Sequence, residues 1–202
     1  IQYQRNVGGL VKIYQEGNGN YANQDQNPFY NGSPVGIENP NNELRKEIHK
    51  EGFQDVKVLD LIRTIRDAGI NVGGNYIFGL PYDTKESMQA TLDFAMENPT
   101  EMANFYSAMA YPGSPLHNQA RIFGTQLPDT YAGYSQHSYE TLNLANEHLT
   151  AAEILAFRDK AWDSYHESPK YLELMKDKFG QKAIDELNDT KTVKLKRKLL
   201  GD

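Results

Sequence analysis

The apolar positions change period along the middle of the chain. Val58, Leu61, Ile62 and Ile65 fall at i, i+3, i+4 and i+7, the stripe of an amphipathic helix. Ala68-Gly69 closes it, with the glycine as the C-terminal cap, and Asp55 stands where a cap would open it. The next stretch, 71–83 (NVGGNYIFGLPYD), has no helical period. Val72, Tyr76, Ile77, Phe78 and Leu80 give it β-branched, aromatic and aliphatic bulk, so it reads as a buried strand that Pro81 stops. Gly73, Gly74 and Gly79 lack a Cβ and let another backbone or a flat ligand come close. Asp83, with Glu86 three residues on, is placed as a capping box for a helix over about 84–97, whose inner face is Met88, Leu92, Ala95 and Met96. Asn98-Pro99 ends that helix. Residues 103–111 (ANFYSAMAY) then read as a second buried strand, stopped by Pro112-Gly113-Ser114-Pro115.

Upstream, 35–38 is a short strand ending in the carboxylate of Glu38, 39–42 a turn, and 43–50 a short polar helix with Leu44 and Ile48 on one face. Residues 1–35 are rich in Gln, Asn and Gly; 5–7 and 10–14 have the makings of one short strand, and 17–34 reads as loop. Downstream, 116–124 reads as a short helix and 126–146 as irregular and aromatic. Thr150 and Glu153 form a capping box for a helix to about residue 166. Ser168-Pro169 starts another that ends at Phe179-Gly180, and a third covers about 181–188. Strands that alternate with helices imply a parallel sheet with crossover helices, hence an α/β fold whose strand ends lie on one edge. The division is an irregular segment over 1–34, an α/β unit over 35–125, and an irregular then helical extension over 126–202.

The net charge of −6 argues against a general nucleic-acid binder. No apolar run approaches the ~20 residues of a membrane span and no signal peptide is visible, so a cytoplasmic protein is expected. The chain holds no cysteine, which excludes disulfides, thiolate zinc sites, a cysteine nucleophile and a cysteine-ligated iron–sulfur cluster within it. It begins with Ile1, as a processed protein or a piece of a longer one would.

Candidate chemistry gathers at the strand ends, where ligands of α/β proteins collect. Glu38 is either a carboxylate paired with Lys or Arg, or one that accepts hydrogen bonds from ligand hydroxyls or an amine. The GLP (79–81) and YPG (111–113) loops border one site if both strands are parallel. His49, His117, His137, His148 and His166 show no metal-ligand spacing, so no metal site is expected. The 131–139 segment (YAGYSQHSY) either lines a substrate cleft or, as its better reading, packs the irregular segment on the sheet. Arg158 reads as an ion-pair former where its helix meets the sheet, and Lys191 to Lys198 as a solvated helix face. No Ser-His-Asp order, P-loop or GxGxxG stands out.

These motifs, in this order, resemble a known family: GIE (36–38), DAGI (67–70), GNYIFGLPYDTKESMQATLDFA (74–95), NFYSAMAYPGSPL (104–116), YSQHSYETLNL (134–144), LTAAEILAFRD (149–159) and KLKRKLL (194–200). The series is similar to the C-terminal half of radical SAM enzymes, in the cobalamin-binding-domain subgroup. Its members include the anaerobic magnesium-protoporphyrin cyclase and many methyltransferases of natural-product clusters. The likeness covers about 35–200. It implies a partial (β/α)6 barrel, with 36–38 ending its fourth strand, 75–80 its fifth and 103–111 its sixth. It implies that Glu38 meets the ribose or methionine part of S-adenosylmethionine. On the fifth strand, begun by Asn75, Ile77 and Gly79 would meet the adenine, and Tyr111, Pro112 and Gly113 would close the adenine side. Catalytic residues are not assigned.

Two departures shape the expectation. The CxxxCxxC loop that holds the family's [4Fe–4S] cluster is absent along with the first strands, and the family's GIESGS reads GIENPN here. The cluster and cobalamin therefore belong to full-length members, not to this chain. The expected function is the C-terminal part of an enzyme of SAM-dependent radical chemistry on a small molecule, by methyl transfer or ring formation. The chain alone would be inactive, with its barrel completed by an upstream segment or a partner. The alternative is a cluster-free binding module in which 1–35 replaces the missing strands. A hydrolase built on Glu38 lacks a second carboxylate on a neighbouring strand end.

Overall fold

A computed structural model describes residues 58–202 together with the strands β1 (Gln4–Asn6), β2 (Gly9–Val11) and β3 (Gly32–Glu38). The expected turn at 39–42, the helix at 43–50, the Asp55 cap and most of the loop at 17–34 lie outside the described residues. β1 and β2 pair antiparallel, two strands where the pattern suggested one. β3 begins at Gly32, upstream of the expected start at Val35.

The fold is α/β. Helix α1 (Val58–Asp67), strand β4 (Asn71–Phe78), helix α2 (Lys85–Glu97) and strand β5 (Met102–Ser107) follow in turn, and β3, β4 and β5 form a parallel sheet in that spatial order. Gly36 pairs with Asn75, Glu38 with Tyr76 after a bulge, and Tyr76 with Phe105. Beyond the sheet come α3 (Pro115–Ile122), a 3-10 turn at Tyr131–Tyr134, and the helices α4 (Ala151–Glu167), α5 (Pro169–Phe179) and α6 (Gln181–Lys191). Among the described residues no helix is long and apolar enough to cross a membrane.

Period-two alternation divides the sheet. Val72, Tyr76, Phe78, Ala103 and Phe105 point into one core with α1, α2, α4 and α5. There the Phe105 ring stacks on Tyr76 and Phe78 at 5.3 and 5.7 Å and meets Tyr165 edge-on at 5.4 Å. The alternate residues Asn75, Ile77, Asn104 and Tyr106 are partly or fully exposed on the other face.

The caps follow local rules with one correction. Thr150 and Glu153 form the expected capping box, and Pro169 and Gly180 bound α5. At α2 the capping residue is Thr84 with Ser87, not Asp83 with Glu86. Asp83 is instead buried and turned back on the loop before it. The tail corrects a second expectation. The helix ends at Lys191, and Arg197, read as part of a solvated face, is only 1% exposed.

His166 is buried rather than poised for a ligand. Its Nδ1–H donates to the Trp162 carbonyl at 2.7 Å, and its ring lies tilted against Trp162 with centroids 4.2 Å apart. Burial pushes its pKa down to about 4 from 6.5. The folded state then resists a proton that the unfolded chain accepts, so stability is intact above pH 6.5 and falls as pH drops toward 4. At pH 5 the wild type should have lost about 2 kcal/mol more of its pH 7 unfolding free energy than His166→Phe, as read by urea denaturation at the two values. Equal losses would exclude His166 as the acid-sensitive group.

Candidate functional site

Parallel pairing puts the carboxyl ends of β3, β4 and β5 on one edge of the sheet. Glu38 closes β3 beside Tyr76 in register; Gly79-Leu80-Pro81 follows β4, and residues 108–113 follow β5. The edge is built from local geometry and from side chains that arrive from far along the chain.

The β4 loop is held from within and from outside. Gly79 adopts φ +77°, a conformation that glycine takes without strain. A Cβ built there would lie 2.6 Å from Cγ2 of Ile154 on α4, so the space left by the missing side chain belongs to Ile154. The close neighbour on that side is a helix rather than a flat ligand. Leu80 N–H donates to Asp83 Oδ2 at 3.0 Å, and Ser87 Oγ donates to Asp83 Oδ1 at 2.6 Å. Burial raises the Asp83 pKa, and the bonds from Ser87, Leu80 and Gly79 offset only part of that. Asn146 spans the loop from outside, donating to the carbonyls of Leu80 at 2.8 Å and Asp83 at 2.9 Å.

The end of β5 is fixed by substitutes for a neighbouring strand. β5 lies at one end of the sheet order, so its outward backbone groups need other partners. Tyr165 Oη donates to Thr100 O at 2.8 Å and accepts from Thr100 N–H at 2.9 Å. Arg158 Nε donates to Phe105 O at 2.7 Å. The Gln136 amide brackets Ser107, accepting from its N–H at 3.1 Å and donating to its carbonyl at 2.9 Å. The strand stops at Ser107 although the apolar run continues to Tyr111, because β4 ends at Phe78, whose carbonyl accepts from the Ala108 N–H at 2.8 Å. The 131–139 segment thus packs on the sheet, in line with its better reading. Arg158 makes its bond to the sheet through a backbone carbonyl, while its ion pair, 2.8 Å long, is with its neighbour Asp159.

Tyr111 is half exposed, with its ring centroid 6.2 Å from that of Tyr134. Pro112 and Gly113 are exposed, and Gly113 turns the chain at φ +87°. On the face opposite the core Asn104 Nδ2 donates to Asn75 Oδ1 at 2.9 Å, and Ile77 and Tyr106 are register neighbours one layer nearer the loops. The structure thus brings Asn75, Ile77 and Gly79 onto one strand and its loop, with Tyr111, Pro112 and Gly113 on the loop after the adjacent strand and Glu38 ending the strand on the other side. Asp83, Gln136, Asn146 and Arg197 were not singled out as site residues. Asn146 lies where the pattern shows only loop and Asp83 where it shows a helix cap; the signal for Asp83, Gln136 and Arg197 was their place inside the motifs that carry the resemblance.

Among the described residues no three His, Cys, Asp or Glu side chains gather to hold a metal ion. The whole chain lacks cysteine, so its residues do not fit an iron–sulfur cluster. Burial, with the Arg158 and Arg197 cations nearby, lowers the His137 pKa below its usual value.

No family model matches the chain. It is 29% identical over 139 residues to an uncharacterized methyltransferase of Pyrococcus horikoshii, a match covering 68% of this chain and 29% of that protein. It is 28% identical over 119 residues to the bacteriochlorophyllide d C-12(1)-methyltransferase of Chlorobaculum tepidum, covering 57% of this chain and 25% of that protein. It is 30% identical over 95 residues to the hopanoid C-2 methylase of Rhodopseudomonas palustris, covering 47% of this chain and 18% of that protein. The chain thus spans less than a third of each of these relatives, and what it shares with them is similarity to part of a methyltransferase.

Proposed function

We propose that this chain is the C-terminal part of a SAM-dependent methyltransferase of the radical SAM type. In this reading β3, β4 and β5 are the last strands of a partial (β/α)6 barrel, and an upstream segment or partner completes it in the cytoplasm. The observation that carries the reading is the convergence of GIE, GLP and YPG on one edge of a parallel sheet, in a chain similar to methyltransferases.

The partly exposed sheet face suits an adenosyl group. Ile77 offers an apolar surface for a flat ring, and the amides of Asn75 and Asn104 offer donors and acceptors below it. Glu38 at the end of β3 would accept from the ribose hydroxyls or the methionine ammonium, while Tyr111, Pro112 and Gly113 would close the adenine side. The cofactor supplies the transferable methyl group; this part of the protein binds and orients it, along with a small-molecule substrate. With no cysteine, the chain contributes no cluster ligand and has no reductive activity by itself.

Titration calorimetry with S-adenosylhomocysteine tests the pocket. The wild-type chain should bind, and Ile77→Arg on the open face should weaken binding by about tenfold or more. No binding by the wild type, or equal binding by the variant, overturns the placement. The absence of cysteine also favours a second reading, a cluster-free module that binds the same ligand. Joining the chain to the N-terminal part of the Pyrococcus relative under anaerobic reduction separates the two. Release of methionine from SAM supports the enzyme, whereas binding without release supports the module.

A further inference from the structure

We infer that Arg197 is a positioning residue that fixes the carboxyl end of β5, and with it the Tyr111 side of the site, from the far end of the chain. Its guanidinium is buried, and each of its three nitrogens donates a hydrogen bond. Nε and Nη2 donate to the two Asp159 oxygens at 2.8 and 2.9 Å, the paired geometry that a planar fork provides. Nη1 donates to Gln136 O at 3.0 Å, Ser138 O at 3.2 Å and Thr141 Oγ1 at 3.3 Å. One cation therefore ties α4 to the 136–141 loop.

That loop acts on the strand. The backbone of Gln136 is held by Arg197 while its side chain brackets Ser107, the last residue of β5. Tyr134, two residues earlier, lies against Tyr111. The tail is secured in turn: Lys198 N–H donates to Tyr139 O at 2.9 Å, Tyr139 Oη to Asp202 O at 3.2 Å, and Arg197 N–H to Asp202 Oδ2 at 3.0 Å. Lysine at 197 would keep the charge and lose the fork, so charge alone does not reproduce the arrangement.

The exchange of single backbone amides tests this in the full chain. Arg197→Lys should speed exchange at the Ser107 amide about tenfold or more, while the amides of β4 stay protected. Arg197→Ala should do the same, with protection restored by methylguanidinium, a rescue that general loss of packing would not show. Gln136→Leu, which leaves the Arg197–Asp159 pair in place, should loosen Ser107 alike. The ligand arm rests on the SAM reading: S-adenosylhomocysteine should bind the Arg197 variants about tenfold more weakly, with methylguanidinium restoring affinity to Arg197→Ala. Unchanged exchange at Ser107 overturns the inference, as does loosened exchange with unchanged affinity. A wild-type chain that binds no S-adenosylhomocysteine overturns the SAM reading instead, and the exchange and rescue data alone then decide the role of Arg197.

Discussion

Gly79→Ala is expected to cost about 3 kcal/mol of unfolding free energy, more than its single methyl suggests. Two effects add. At φ +77° an L side chain pays about 1–2 kcal/mol for the left-handed conformation. The new methyl also arrives 2.6 Å from Cγ2 and 2.7 Å from Cδ1 of Ile154, a fully buried side chain, and such overpacking costs about 1–3 kcal/mol. A double-mutant cycle separates them. Ile154→Ala leaves a cavity costing about 2–5 kcal/mol by itself, but in that background the added methyl meets no clash. The double variant should therefore lose less than the sum of the singles by about 1–3 kcal/mol, the remainder being backbone strain. Guanidinium denaturation of the four proteins measures this, and strictly additive losses would show that Ile154 does not confine Gly79.

Glu101→Leu is expected to cost about 2–4 kcal/mol at pH 7. The Glu101 carboxylate is almost wholly buried beneath the amino end of the sheet. It accepts from the Val72 N–H at 2.8 Å, Arg66 Nε at 3.0 Å and Lys178 Nζ at 2.7 Å, joining α1, β4 and α5. Removal strands the Val72 N–H, for which leucine offers no acceptor. The two cations are about a third exposed and recover part of their hydration, which keeps the loss below that of a fully buried pair. Burial works against the charge on Glu101, but the bonds from Lys178, Val72 and Arg66 together outweigh it and hold the pKa below 4.5. The carboxylate therefore stabilises the fold in full above pH 4.5 and ceases to do so as pH falls through its lower folded value. Urea denaturation curves of the wild type and Glu101→Leu should converge in acid. A gap that stayed constant from pH 7 down to pH 3 would assign the loss to packing instead.

The order of elements and many of their ends are legible in the residues alone. Spacing marked α1, α2 and the helices after residue 150; Pro169, Gly69 and Gly180 marked boundaries, because proline and glycine act through the torsions of their own backbone, whereas β4 ends at Phe78, ahead of Pro81, where Gly79 turns to φ +77°. The Thr150 capping box was legible for the same reason, since both its partners lie within one helical turn. GIE at the end of β3 and GLP directly after β4 were likewise present in the residues alone, whereas YPG lies on the loop after β5 rather than at its end.

Which long-range partner each group takes depends on how the elements pack. Asp83 has the chemistry of a cap, yet it turns back to Leu80 and Thr84 caps in its place. Apolar residues continue to Tyr111, but the strand ends at Ser107 because its partner β4 ends at Phe78, and Gln136 takes the outward backbone groups of Ser107. Arg197 stands in a basic run that reads as solvated and is buried because Asp159 and the 136–141 loop supply acceptors for its N–H groups. Gly79 reads as room for a ligand, and Ile154 fills that room. In each case the deciding atom lies on a different element or competes locally for the same hydrogen bond. A periodicity or a torsional preference records only what a residue does with its near neighbours; burial and hydrogen-bond pairing depend on which distant surface the fold brings to it.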